Sequence, residues 1–235
     1  MITPKNSSLI ELNPVIEAVV SKADRIYSFL KHHILTCKLQ PGQRLNEKEL
    51  CQELFTSRTP LREALNRLAI DRLVFTGHYQ AYIVAPLNVA DVVNLCELRA
   101  AIEGHSGALA AERATPQEVE RLSQLAHLPY EPGDRKTYER YLRANSRFHL
   151  AVAQCSRNDR LVGLVMSTLD EIQRPLYLGL DVGLDPTTAA AEHLEVVEAI
   201  RSRNRTLAQY LMSRNASQAK ERILMVLVKS GLTNS

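Results

Sequence analysis

Arg58 and Arg62 stand four positions apart, just after Ser57 and on either side of Thr59, Pro60 and Leu61. At i and i+4 of a helix both guanidinium groups leave from one side. A guanidinium presented there can give two parallel donors to O6 and N7 of a guanine. Small hydroxyls at a helix start, such as those of Ser57 and Thr59, suit phosphate oxygens, and Lys48 a few residues earlier suits a phosphate too. A charged face by itself is usually just a solvated face, so the meaning of these residues depends on what surrounds them.

A second group carries a different chemistry. Tyr138, Tyr141, Leu142, Asn145, Phe148, His149 and Val152 fall on one stripe at helical spacing, and His193, Val196, Val197 and Ile200 on another. Asn215 follows Leu211 by one turn. Polar groups aimed at the centre of a helical bundle are costly without partners. Asn145, His149, His193 and Asn215 on three helices therefore suggest a shared cavity holding a ligand, water or metal. The alternative is a pair of hydrogen-bonded core histidines. Arg99 shares a stripe with Val92, Cys96 and Glu103. It is either a bidentate partner for a carboxylate ligand or one half of a structural i, i+4 pair with Glu103.

The elements that position the first group are read from periodicity and punctuation. Ile26, Leu30 and Ile34 mark a helix over Ala23–Cys37, which Pro41 and Gly42 break. Asn46, with Glu49 three residues on, is an N-cap with a capping-box-like partner for a short helix through Leu50 and Leu54. After a tight connection a further helix runs from about Ser57–Pro60 to Asp71. Pro60 sits in its first turn, where a missing N–H costs nothing, and Leu61, Leu65 and Leu68 form its buried stripe. Short β-like runs at Val74–Thr76 and Ala81–Val84 read as a hairpin. Helix, turn, short helix, turn, helix, hairpin is the order of a winged helix-turn-helix, whose second paired helix enters the major groove.

Beyond Pro86 the pattern is helical almost throughout, with helices expected near 89–113, 116–128, 135–156, 158–180, 187–202 and 204–229. Thr115-Pro116 and Asp185-Pro186 are cap-plus-proline starts. The fold class is thus mostly α: a winged helix-turn-helix followed by an all-helical antiparallel bundle. The expected division is a flexible tail over 1–20, a DNA-binding unit over 21–86 and a helical ligand-binding and dimerisation domain over 87–231.

Composition agrees. The chain has 235 residues, no Trp and 5% aromatics, so its core is built from aliphatic side chains. The formal charge of +3 is unevenly placed: residues 21–86 hold ten basic and six acidic residues, a local +4. Four scattered cysteines without a C-x-x-C pair read as reduced thiols. No apolar run is long enough for a transmembrane helix and no signal-peptide pattern opens the chain, so a cytoplasmic protein with no membrane partner is expected.

The stretch PGQRLNEKELCQELFTSRTPLREALNRLAIDRLV resembles the DNA-binding domain of the GntR family of bacterial regulators. The residues that carry it are the Pro-Gly turn, the Leu-x-Glu-x-x-Leu helix, and Ser57-Arg-Thr-Pro-Leu-Arg-Glu-Ala-Leu65 with Arg67-Leu68. The resemblance implies DNA contacts for Lys48, Ser57, Arg58, Thr59 and Arg62. The wing departs from the family, with Ala81 where a Gly is common; His78, Tyr79 and Gln80 are its candidate minor-groove contacts. Glu97-Leu-Arg-Ala-Ala-Ile-Glu103, Asn145-Ser-Arg-Phe-His149, Asn158-Asp-Arg-Leu161 and Glu192-His193 resemble the FadR-like branch, with an FCD-type effector domain.

That likeness implies a cavity formed by Arg99, Glu103, Asn145, His149, His193 and Asn215, in which an Arg often meets an organic-acid effector. Many relatives also hold a divalent metal there with one carboxylate and three histidines. Here Asn145 stands where Asp is common and Asn215 where the last His is expected. A zinc or nickel ion would rest on His149 and His193, with the two amides as weak ligands, and two imidazoles plus two amides bind less well than a set with a carboxylate. The expected function is a metabolite-responsive repressor, non-enzymatic, that binds an inverted-repeat operator on double-stranded DNA as a homodimer. Two rivals stand beside it. A metal-dependent enzyme centred on the histidines would lack an evident nucleophile and base, and a DNA-binding protein could carry a purely structural bundle.

Overall fold

The computed structural model describes residues 21–76, 81–127, 134–181 and 187–229. The expected tail over 1–20 and the wing tip with His78, Tyr79 and Gln80 lie outside them. The N-terminal unit opens with α1 (Lys22–Leu35), β1 (Arg44–Leu45), α2 (Glu47–Glu53), α3 (Arg58–Ile70), β2 (Val74–Thr76) and β3 (Tyr82–Val84). Its helix starts follow from capping chemistry. Ser21 and Asp24 close a reciprocal capping box on α1. The Asn46 side chain accepts from the N–H groups of Lys48 and Glu49 at the head of α2.

The three strands form one antiparallel sheet in the order β1-β3-β2, with Leu45 opposite Tyr82 and Val74 opposite Val84. The hairpin of β2 and β3 agrees with the sequence, although β3 starts at Tyr82 rather than Ala81. The third strand, β1, has no counterpart in the sequence reading. Leu30, Ile34, Leu61, Leu65, Leu68, Leu73 and Val84 close a core between α1, α3 and the sheet.

Six helices follow: α4 (Val89–Arg113), α5 (Pro116–Leu125), α6 (Arg135–Cys155), α7 (Asp159–Asp181), α8 (Thr187–Arg201) and α9 (Arg205–Lys229). Asn88 caps α4 through Ala90 N–H, and Thr115 with Glu118 forms a capping box on α5, which has Pro116 in its first turn. The 25-residue helices α4 and α9 press together through glycines. A Cβ on Gly107 would meet the Ala208 carbonyl oxygen and Met212 Cγ at 2.8 Å, and one on Gly104 would meet Ser213 Oγ at 2.1 Å. Gly costs helix stability, and here it is the residue that lets two backbones approach. The apolar interior is filled by Phe148, Val152, Val196, Val197, Ile200 and their neighbours.

The two units touch directly. Lys31 on α1 pairs with Asp170 on α7 at 2.6 Å, and Arg174 donates to the Pro86 carbonyl at 3.4 Å. Cys37, Cys96 and Cys155 are buried and Cys51 is half-buried, and none of the four forms a disulfide. Among the described residues no helix is long and apolar enough to cross a membrane. A further regularity bears on function: Cys37, Phe55, Arg72, Arg157 and Arg203 each follow a helix end with φ between 47° and 58°, the left-handed region that L residues adopt at a cost.

Candidate nucleic-acid interface and buried polar cavity

The head of α3 is an exposed and unfinished helix start. Leu61, Ala64, Leu65 and Leu68 fix one side of the helix in the core, which forces the other side outward. Ser57, Arg58, Thr59 and Arg62 are all exposed. Ser57 occupies the N-cap position with extended backbone, yet its hydroxyl makes no capping bond, and no acidic residue lies in the first turn. Free N–H groups with the positive end of the helix dipole and two guanidinium groups make this a place for anionic oxygens. Arg62 Nε lies 3.1 Å from both oxygens of Glu47; that pair is exposed, and a duplex phosphate or base could replace it at small cost. Lys48 on α2 is exposed near the same end. Tyr82 on β3 donates to Asn66 at 2.8 Å and ties the sheet to α3.

The second site is the opposite in every physical respect. Arg99 and Glu103, one turn apart on α4, are 1% and 0% exposed. Arg99 Nε donates to Glu103 Oε1 at 2.6 Å, so the i, i+4 pair left open by the sequence exists. The other carboxylate oxygen lies 2.6 Å from His149 Nδ1 on α6. Burial would raise the Glu103 pKa, but the charges of Arg99 and His149 outweigh it and hold the carboxyl at about 2. His149 meets His193 of α8 edge-on with ring centres 5.1 Å apart, and His193 stacks on Phe148 at 3.9 Å. Burial, with His149 beside it, keeps His193 well below the ordinary imidazole pKa, so the ring is neutral near pH 7.

Asn145 and Asn215 complete the set: with Arg99, His149, Tyr141, Leu176 and Arg222 they line a small cavity of about 30 Å³. That is room for about one water or a single ion. Arg99 Nη1, His149 Nε2 and both nitrogens of His193 are buried without a hydrogen-bond partner, a cost the fold carries only where something polar answers it. Among the described residues no three His, Cys, Asp or Glu side chains converge as a metal requires.

Arg222 of this wall, and Glu192 beside it, escaped the sequence reading as site residues. Asn215 Nδ2 donates to Glu192 at 2.6 Å, and Arg222 spans Glu192 and Thr188. Arg222 repeats Asn215 after seven residues, and that spacing was the available signal. Two further buried residues of α7 fall elsewhere. Arg174 lines a larger cavity of about 350 Å³ between α7 and the segment that joins the two units, with Arg72, Glu171 and Leu95. Tyr177 packs edge-on against Tyr138; Leu176 takes its place at the small cavity because Arg174, Leu176 and Tyr177 point in different directions around α7.

Similarity to known proteins follows the same two-part division. Residues 22–84 match the family described as bacterial regulatory proteins, gntR family, and residues 94–217 match the FCD domain. The chain is 36% identical over 134 residues to the Nta operon transcriptional regulator of Aminobacter aminovorans, covering 57% of this chain and 63% of that protein. It is 25% identical over 205 residues to the HTH-type transcriptional repressor RspR of Escherichia coli K12, covering 86% and 89%. The structure of E. coli McbR/YncC superposes with a TM-score of 0.71 at 22% identity, covering 88% of this chain and 99% of the other, which supports the fold.

Proposed function

The chain belongs to the GntR family of bacterial regulatory proteins, with the FCD domain behind its helix-turn-helix, and on that footing we propose that it is a dimeric repressor that reads an inverted repeat and answers a small ligand in its bundle. Its coarse role is transcriptional regulation. The observation that carries the finer reading is the head of α3: an uncapped, acid-free helix start with Ser57, Arg58, Thr59 and Arg62 all exposed. Arg58 and Arg62 would read base edges, Ser57, Thr59 and Lys48 would hold phosphates, and two copies would engage half-sites about one duplex turn apart.

The bundle cavity supports the response. Arg99 Nη1 is a buried donor free for an organic-acid carboxylate. A space of about 30 Å³ does not hold such an acid, so the acid-bound bundle must differ in shape from the one described. A ligand that binds one shape better shifts the equilibrium between them, and relief of repression follows. A divalent zinc or nickel ion would rest on His149 and His193, with Asn145 and Asn215 as weak amide ligands. Without a carboxylate at those positions this donor set fits a loosely held ion rather than a structural one. The tight space also favours a binding protein over an enzyme.

Footprinting of the DNA upstream of the chain's own gene, at low salt and with a series of small organic acids, tests the reading. Two protected half-sites a turn apart, lost on adding one acid, are expected. A chain that protects no inverted repeat sinks the DNA assignment; protection insensitive to every acid leaves a regulator with a structural bundle.

A further inference from the structure

We propose that Phe55 is a DNA contact, its ring packing against the apolar surface of the duplex at the mouth of the groove that α3 enters. The proposal rests on the reading of α3 given above. Of the five non-glycine residues with left-handed backbone among those described, four have a use for their side chains within the chain. Cys37 is buried in the core of the helical domain. Arg72 lines the cavity it shares with Glu171. Arg157 grips Glu118 with two hydrogen bonds of 2.7 and 2.8 Å. Arg203 donates to the Ala111 carbonyl at 3.1 Å.

Phe55 has φ 47° and is 88% exposed. A large apolar ring in water is unfavourable, and a bulky side chain at positive φ adds to the cost. The backbone cost is met within the turn, where Thr56 N–H donates to the Cys51 carbonyl at 3.0 Å, but among the described residues nothing shields the ring from water. What distinguishes Phe55 from the other four is its ring, which stays 88% exposed beside the start of α3.

Its place identifies the partner. Phe55 lies two residues before Ser57, at most about 7 Å along the chain, in the turn that feeds the exposed start of α3. Its carbonyl accepts from Lys22 Nζ at 2.7 Å, which fixes the turn from the protein side. Its neighbours in sequence are the hydroxyls and guanidinium groups that suit phosphates and bases. The apolar features of a duplex there are thymine methyl groups and deoxyribose carbons, and Phe is one of the side chains that meet thymine methyls.

The test uses full-length protein and a duplex selected in vitro by the parent, with affinity read by fluorescence anisotropy over a series of salt concentrations. Gly and Asn both accept left-handed backbone. F55G and F55N should therefore melt no lower than the parent, yet bind about tenfold more weakly with the same salt slope, because no phosphate contact is lost. F55Y, which keeps the ring, should bind within about twofold of the parent. Parent-like binding by F55G and F55N overturns the proposal. So does weak binding by F55G with parent-like binding by F55N, which would trace the effect to flexibility, or a fall in oligomer mass in either variant, which would make the ring a protein contact. Loss of binding by an R58A/R62A double variant with none in F55G refutes Phe55 alone; retention in both refutes the reading of α3 as well.

Discussion

The head of α3 and the cavity between α4, α6, α8 and α9 both collect polar groups without partners, but one does so in water and the other out of it. At α3 the free N–H groups, Ser57 hydroxyl and Arg58 guanidinium face water, so leaving them unpaired costs the folded chain almost nothing. At the cavity and just behind it, Arg99 Nη1, His149 Nε2 and both His193 nitrogens are sealed from solvent, and each lowers stability unless occupied. The lesson is that a surface site is recognised by what is missing from it, a cap and an acid, whereas a buried site is recognised by the cost the fold tolerates.

The largest effect that could break this contrast lies at Glu103. The Glu103→Gln substitution leaves Arg99 and His149 without their shared anion and should cost about 3 kcal/mol in denaturant unfolding near pH 7. The sign with pH follows from the lowered pKa. The carboxylate's contribution is complete above about 4.5 and is lost as pH falls towards about 2. E103Q should flatten the parent's loss of stability across that window. A variant as stable as the parent, with an unchanged acid limb, would mean the buried charges are not coupled.

At α3 the same logic predicts changed binding with unchanged folding. R58A/R62A should lose on the order of a hundredfold in operator affinity, with a shallower salt dependence if either Arg meets a phosphate and a melting temperature close to the parent's. A fall of several degrees in melting temperature would show that these arginines hold the fold. The Ser57→Ala substitution sharpens the point. Loss of an N-cap residue ordinarily costs about 1 kcal/mol, but this hydroxyl makes no cap bond, so S57A should stay within about 0.5 kcal/mol of the parent while binding operator about fivefold more weakly. The smallest effect belongs to the tie between the regions: D170A, which removes the partner of Lys31, should cost no more than about 1 kcal/mol because both side chains are partly exposed. A larger loss would show that the two units do not fold as separately as their distinct cores suggest.

Much of the architecture was legible in the sequence because the helices announce their ends chemically. Thr115-Pro116 and Asn46-x-x-Glu49 mark helix starts where they lie, and the helix expected over Ala23–Cys37 ends two residues earlier, at Leu35. Strand β1 was not legible, since two residues carry no periodicity and its identity comes from pairing with β3, almost forty residues away. The cavity was legible in part as a set of stripes: Arg99, Asn145, His149 and Asn215 line it, whereas His193 and Glu103 lie against His149 and not in the lining. A stripe, however, says that a residue faces inward and not which neighbour it meets. Hence Arg174 and Tyr177, inward-facing on α7, serve other contacts, and the Arg222–Glu192 bridge, made between two helices, went unseen. Phe55 was opaque for a simpler reason: nothing in the sequence distinguishes an exposed phenylalanine from a core one.

The glycine seam between α4 and α9 decides which parts of the cavity wall can yield. With carbonyls and side chains already where a single extra carbon would collide, those two helices are effectively bolted together, and they carry Arg99, Glu103, Asn215 and Arg222. Any guest larger than a water must therefore gain its room by displacing α6, α7 or α8. The arginines that would meet it keep their positions, and the helix that carries Leu176 towards the guest also carries Asp170 and Arg174 against the DNA-binding unit.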